Sequence, residues 1–125
     1  MTPATPDPLL DYRESAAIFC GGILSQNRLD HPEGVCVDLR DQSLWAGGEN
    51  GQLYHVSADG SDVRKVACSG GFSLGICMDR NSRIYVCDLF HACIYVYNDA
   101  GTQLDCLRGE EGAEKLEIPN FPLLS

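Results

Sequence analysis

A glutamate at the start of a predicted buried strand is the first residue of the chain whose type and position could do chemistry. Glu33 stands in "HPEGVCVD", after a turn-forming proline and before a short β-branched run. Moving a carboxylate out of water costs free energy unless a partner compensates for the lost hydration. Carboxylate and amide oxygens are the ligands of hard divalent cations such as calcium and magnesium. Glu33 is therefore a candidate metal ligand.

Other residues that often act in sites show patterns more typical of structural roles. The three histidines are scattered and have no metal-ligand spacing: His31, His55 and His91. Asp38 and Asp79 recur at the ends of two matching strands, which favours turn capping over catalysis. Asp88 ends another predicted strand and is interpreted as structural.

The cysteines indicate packing more than chemistry. There are seven, an odd number, and no pair has C-x-x-C spacing. A disulfide framework or a zinc site is therefore disfavoured. Most lie inside apolar runs such as "VCV", "ICM" and "YVCD", so we expect buried free thiols that act as small apolar side chains.

The elements that would position these residues come from an internal repeat. Residues 32–60 match residues 73–101 with an offset of 41 at both ends. Each unit alternates short apolar or aromatic runs with turn signals, and no segment shows a convincing helical period. The predicted strands are 34–38, 43–47, 52–56, 63–67, 74–79, 83–87, 92–97 and 103–107.

Four antiparallel strands repeated every forty or so residues are typical of a β-propeller blade. The prediction is an all-β fold, a partial β-propeller over 16–125 with blade 1 about 32–68, blade 2 about 73–108 and the start of blade 3 about 118–125. Residues 1–15 read as a flexible lead-in, and 16–24 as a strand that would close the ring. A propeller needs at least about four blades, so the chain is interpreted as an N-terminal part. A stand-alone β-sandwich of about eight strands is the alternative.

The repeat also gives an independent argument about the candidate site. Glu33, Leu74 and Asn120 occupy the same position, at the start of the inner strand, in three successive units. Inner strands surround the central channel of a propeller, so these positions should converge on one ring. Two of the three side chains offer oxygen ligands. We therefore expect a divalent metal site at one end of the channel, with Glu33 as one ligand.

Several motifs together resemble one family. "LDHPEGVCVD", "LWAGGENGQLYHV", "GGFSLGICMDRNSRIYVCD" and "IPNFPLLS" are similar to the gluconolactonase and regucalcin (senescence marker protein) family. That resemblance implies a six-bladed propeller and metal-assisted hydrolysis of a lactone ester. It assigns Glu33 to the metal and Asn120 to the substrate, and it places the catalytic residue and the other metal ligands beyond Ser125. Paraoxonase-like and strictosidine-synthase-like propellers share the blade pattern.

The resemblance carries expectations about cofactor and ligand. The metal would be calcium, with magnesium, zinc or manganese as alternatives, and the ligand a small-molecule lactone or sugar acid. The 125-residue chain by itself is expected to be inactive. The alternative function is a non-catalytic propeller that binds a small molecule or a protein partner through its channel face.

Charge and hydropathy restrict the partners and the compartment. The net charge of -9 disfavours binding to nucleic acid or to an anionic membrane. No stretch has the roughly 18 apolar residues of a membrane span, and no secretory signal opens the chain, so a cytoplasmic protein is expected. Exposed blade faces predict self-association of the isolated chain.

Overall fold

The computed structural model of the chain describes Phe19 and residues 29–109, 116–117 and 119–124. These residues form eight β-strands and no helix, so the described part has no helix that could cross a membrane. The strands are β1 Val35–Val37, β2 Leu44–Gly47, β3 Gln52–Val56, β4 Val63–Cys68, β5 Ser73–Met78, β6 Ile84–Asp88, β7 Cys93–Tyr97 and β8 Gln103–Leu107. The predicted lead-in (1–15) and, apart from Phe19, the predicted closing strand (16–24) lie outside the described residues.

The strands form two antiparallel sheets of identical topology. Sheet 1 has the order β1-β2-β3-β4, and sheet 2 has the order β5-β6-β7-β8. Each strand pairs with its neighbours in sequence, because short turns such as "GENG" return the chain directly. The prediction of an all-β chain with two four-stranded sheets is confirmed, and every predicted strand end lies within one residue of the observed one.

Aspartates cap the turns that follow the first strand of each sheet. The Asp79 Oδ1 atom accepts hydrogen bonds from the backbone N–H groups of Asn81 (2.8 Å) and Arg83 (2.9 Å). In sheet 1 the Asp38 Oδ1 atom accepts one from the backbone N–H of Arg40 at 3.0 Å. The predicted capping role of both aspartates is confirmed.

The two sheets enclose the main hydrophobic core. Trp45 and Leu53 of sheet 1 pack with four side chains of sheet 2, namely Ile76, Ile84, Val86 and Tyr97. The start of sheet 2 lies against sheet 1 through contacts of β5 with β1 and β2. Because side chains alternate along a strand, this core uses one face of each sheet.

The opposite face of sheet 1, called the outer face below, is also apolar. Ala46, Tyr54 and Val56 are buried there together with Leu29. Towards its β1 edge the face is open, and Val35 and Val37 are 58% and 45% exposed. The described residues therefore cover the outer face over β2 and β3 and leave it open over β1.

Asp88 lies at the end of β6 and is fully buried. Its Oδ1 atom accepts hydrogen bonds from the backbone N–H groups of Phe72 (3.2 Å) and His91 (2.8 Å). Its Oδ2 atom accepts one from the Ser69 hydroxyl at 2.7 Å. These bonds fix the loop before β5 and the turn after β6, which confirms the structural interpretation.

All six described cysteines are free, but the expectation that they are buried is only partly right. Cys87 and Cys93 are fully buried, and burial raises the pKa of each thiol to about 11. Cys68, in contrast, is exposed. It ends β4, which is an edge strand of sheet 1. The cysteine is therefore exposed although its neighbours in sequence are apolar.

Candidate functional site

Three chain segments meet where the first strand of each sheet begins. A side chain on Gly34 would overlap the carbonyl oxygen of Leu74. The backbone N–H of Gly75 donates a 2.7 Å hydrogen bond to the carbonyl of Asn120, and a Cβ on Gly75 would lie 2.5 Å from that oxygen. Glycine is needed at both positions because the backbones approach so closely. As a result, the residues before the two glycines, Glu33 and Leu74, and then Asn120 follow one another along a single edge.

The Glu33 and Asn120 side chains are both exposed at this edge. Within the described residues neither side chain has a hydrogen bond or an ion pair, so both polar groups are available to a ligand. Glu33 also borders a cavity of about 350 Å³ on the outer face of sheet 1, whose other lining residues are mainly apolar and include Leu29 and Val35.

Beside Glu33 the structure assembles a group that the sequence patterns did not predict. One ligand atom each of Asp30, His31 and Glu49 lies within 4.8 Å of the others. His31 Nδ1 is 3.0 Å from Glu49 Oε2. His31 has a backbone φ of 49°, a left-handed conformation that is uncommon outside glycine. We call these three residues the Asp30 cluster.

The β2–β3 hairpin builds this cluster. Its loop lies at the same end of sheet 1 as the start of β1, because β1 and β2 are antiparallel. The Glu49 backbone N–H donates to the Asp30 carbonyl at 3.2 Å, and the Gln52 amide donates to Asp30 Oδ2 at 3.0 Å. The spacing of the histidines does not predict this group, because Glu49 lies 18 residues after His31. The hairpin signal "GENG" was the only feature that could have pointed to Glu49.

The donor set of the Asp30 cluster is mixed. Carboxylates suit calcium, magnesium and manganese, whereas an imidazole suits zinc and other transition metals. Asp30 Oδ2 already accepts hydrogen bonds from Gln52 and, at 3.3 Å, from Asn50. The His31 side chain is 71% exposed and that of Glu49 is 40% exposed, so water screens their ion pair. The cluster could contribute ligands to a metal but does not form a closed shell.

The described residues thus place Glu33 and Asn120 on one edge and add an acidic and imidazole group next to Glu33. The catalytic residue that the resemblance places beyond Ser125 lies outside the described residues. No protein-family model and no curated protein matches the chain.

Proposed function

We propose that the two sheets are neighbouring blades of a β-propeller and that the protein is a metal-dependent hydrolase of lactones. Its site would lie at the edge where the first strand of each blade begins. The observation that carries the proposal is the close approach of Gly34 to Leu74 and of Gly75 to Asn120. It brings the same position of three successive units side by side, as a ring of inner strands requires. The resemblance to gluconolactonases and regucalcin supplies the reaction class.

The way the sheets stack supports a propeller over a two-sheet sandwich. Trp45 and Leu53 face sheet 2 in the core. Their counterparts in the repeat are Tyr85 and Ile94. Tyr85 follows the core residue Ile84 and Ile94 precedes Tyr95, which packs on the core, so both counterparts lie on the face of sheet 2 that is turned away from sheet 1. The repeats therefore stack head to tail. Such stacking uses different faces of each unit, so it can continue to further units and close into a ring.

The outer face of sheet 1 agrees with this arrangement. In the repeat it corresponds to the face of sheet 2 that packs on sheet 1, and it carries the partly exposed Val35 and Val37. A further blade would cover that apolar face. A closed ring needs at least about four blades, so two blades account for part of one.

Glu33 fits one position in the shell of a hard cation, since its carboxylate is exposed and has no described donor. Calcium takes roughly six to eight oxygen ligands, so the remaining ligands come from other blades. When bound, a divalent cation polarises an ester carbonyl and lowers the pKa of a water. Glu33 would hold the cation, and the amide of Asn120 would orient the lactone. Hydrolysis adds water to the carbonyl carbon, breaks the ring C–O bond and releases a hydroxy acid.

The experiment is a pH-stat assay with an aldonolactone, because the product acid releases a proton. It is run on the complete propeller that contains these two blades, with the 125-residue chain for comparison. We expect hydrolysis that EDTA abolishes and added calcium restores. The change Glu33→Gln should remove most of the activity, because it removes the charge that holds the metal but keeps the side-chain shape.

Glu49→Gln is the matched control, since it makes the same chemical change in the neighbouring Asp30 cluster. Retained activity in Glu49→Gln with loss in Glu33→Gln supports Glu33 as the ligand. Hydrolysis that neither EDTA nor Glu33→Gln affects would contradict the proposal. Loss in Glu49→Gln alone would instead assign the metal to the Asp30 cluster.

A further inference from the structure

A second and larger cavity lies at the opposite end of β1 from Glu33. Its volume is about 690 Å³, which is within the range of small-molecule sites. The β1–β2 turn and the β5–β6 turn line it, together with one residue of the segment after β8. The residues that matter most for its chemistry are Val37, Leu39, Met78, Arg80 and Leu124. We call this space the Arg80 cavity.

The cavity has an apolar wall that a ligand can reach. Val37, Met78 and Leu124 occupy the same position in three successive units, four residues after the strand entrance of each. Val37 and Leu124 are each 45% exposed, and Met78 is partly buried against the main core. Leu39 in the β1–β2 turn also lines the cavity and is 82% exposed. The repeat thus brings four apolar side chains to one accessible space.

Arg80 supplies an accessible cation beside this wall. It lies in the β5–β6 turn and is exposed, and its guanidinium has no acceptor among the described residues. The other arginine of the cavity, Arg40, already donates from Nε and Nη2 to Asp38 and from Nη1 to Asp99. A free guanidinium favours a ligand group with two acceptor oxygens, such as a carboxylate.

Two aspartates also line the cavity, but their carboxylates already have donors. Asp38 is 1% exposed and accepts two hydrogen bonds from Arg40. Asp79 accepts hydrogen bonds from two backbone N–H groups through Oδ1, and from the Tyr85 hydroxyl through Oδ2 at 3.0 Å. Two arginines and two aspartates leave the wall without net formal charge, although the whole chain carries -9. A single negative charge can therefore be accommodated beside Arg80.

We propose that the Arg80 cavity binds an aliphatic carboxylate of the size of a medium-chain fatty acid. The carboxylate contacts the Arg80 guanidinium, and the hydrocarbon chain lies on Val37, Met78 and Leu124. Removal of the methylene groups from water supplies most of the affinity, and the charge-assisted contact fixes one end of the ligand. The cavity and the Glu33 edge lie at opposite ends of β1, so this site does not depend on the proposed hydrolase function.

The methyl group of Met78 reports directly on the cavity. The chain contains two methionines, so ¹³C labelling of methionine methyl groups gives two signals, and Met78→Leu identifies the one from Met78. The experiment titrates the 125-residue chain with sodium octanoate below its micelle concentration, and sodium chloride keeps the ionic strength constant. We expect a saturable shift of the Met78 signal. Octanamide has the same hydrocarbon chain without the charge and should bind more weakly.

Arg80→Gln should weaken the apparent affinity for octanoate about tenfold, as expected for the loss of a charge-assisted contact. Octanamide should bind this variant as well as it binds the unchanged chain. Arg64→Gln is the matched control, because it makes the same change at another exposed arginine, on β4 and outside the cavity lining. Octanoate binding should be unchanged in this control. Backbone amide signals report whether each variant stays folded.

Three results would overturn the proposal. The first is a Met78 signal that does not move, or that moves linearly with octanoate and never saturates. The second is an equal loss of affinity in Arg80→Gln and Arg64→Gln, which would mean general charge attraction. The third is equal affinity of the unchanged chain for octanamide and octanoate, because the apolar wall would then bind the hydrocarbon chain without selecting a carboxylate.

Discussion

Arg40 donates two hydrogen bonds to the carboxylate of Asp38, from Nε to Oδ1 at 3.0 Å and from Nη2 to Oδ2 at 2.7 Å. Asp38 itself is 1% exposed. Through this bidentate pair Arg40 lowers the pKa of the Asp38 carboxyl from its ordinary value of 3.8 to about 2. The pair therefore links the stability of the fold to acidic pH.

The first prediction concerns that pH range. Because the pKa of Asp38 is lower in the folded chain than in the unfolded chain, its stabilising effect is complete above about pH 4 and disappears as the pH falls towards 2. The loss should be about 2 kcal/mol of unfolding free energy. Asp38→Asn should flatten the curve of stability against pH in this window. Urea denaturation from pH 2 to 6 measures it, and the exposed Asp105→Asn, which should keep the slope, is the control.

The second prediction tests the close approach at the strand entrances. Gly34→Ala should destabilise the fold by about 3 kcal/mol, because the new methyl group would overlap a backbone carbonyl that cannot rotate away. Gly70→Ala is the comparison, since Gly70 has a φ of 77° but open space around it. Its cost should be about 1 kcal/mol, from the left-handed backbone alone. Equal losses in denaturant melts of the two variants would argue against tight backbone packing at Gly34.

A third prediction concerns the buried carboxylate of Asp88. Asp88→Asn places an NH₂ group among three donors, those of Ser69, Phe72 and His91, so at least one of them loses its acceptor. The expected loss is about 2 to 3 kcal/mol of unfolding free energy. Asp99→Asn, at an exposed ion pair, should cost less than about 1 kcal/mol. A difference within error between the two variants would show that the Asp88 bonds contribute little.

The fourth prediction concerns thiol reactivity. Among the six described cysteines, iodoacetamide should label Cys68 first, since it is exposed and the thiolate is the reactive form. Cys87 and Cys93 should resist labelling until the chain unfolds, because they are buried and their pKa values are raised to about 11. Peptide mapping by mass spectrometry separates the sites. Labelling of Cys87 at the rate of Cys68 under native conditions would be incompatible with the described packing.

The fifth prediction concerns self-association through the outer face of sheet 1. Val35 and Val37 are both substantially exposed there, and exposed apolar patches promote association. Sedimentation velocity should show mass that increases with concentration. The double change Val35→Thr and Val37→Thr should reduce it while keeping β-branched residues in the strand. Leu39→Ser, at an exposed turn residue off the sheet face, should not, and a monomer at every concentration would refute the prediction.

The strands and their grouping into two sheets could be predicted from local features of the sequence. The repeat, the alternation of residues such as those of "LWAG" and "QLYHV", and the glycine-containing turns are local features, and local features decide where a short antiparallel strand begins and ends. Asp38 and Asp79 could be interpreted as caps for the same reason, since each bonds backbone groups two to four residues away.

The contacts between side chains that are distant in sequence could not be predicted in the same way, because they depend on how the turns and the two sheets pack. The Asp30 cluster joins Glu49 to two residues that lie 18 and 19 positions earlier, through a hairpin that returns beside the start of β1. The contact between Arg40 of sheet 1 and Asp99 of sheet 2 depends on the stacking of one sheet on the other. Cys68 and Cys87 both end apolar runs, yet only Cys87 is buried. Burial depends on what packs against a strand, and that is set by contacts between the sheets, which no local pattern encodes.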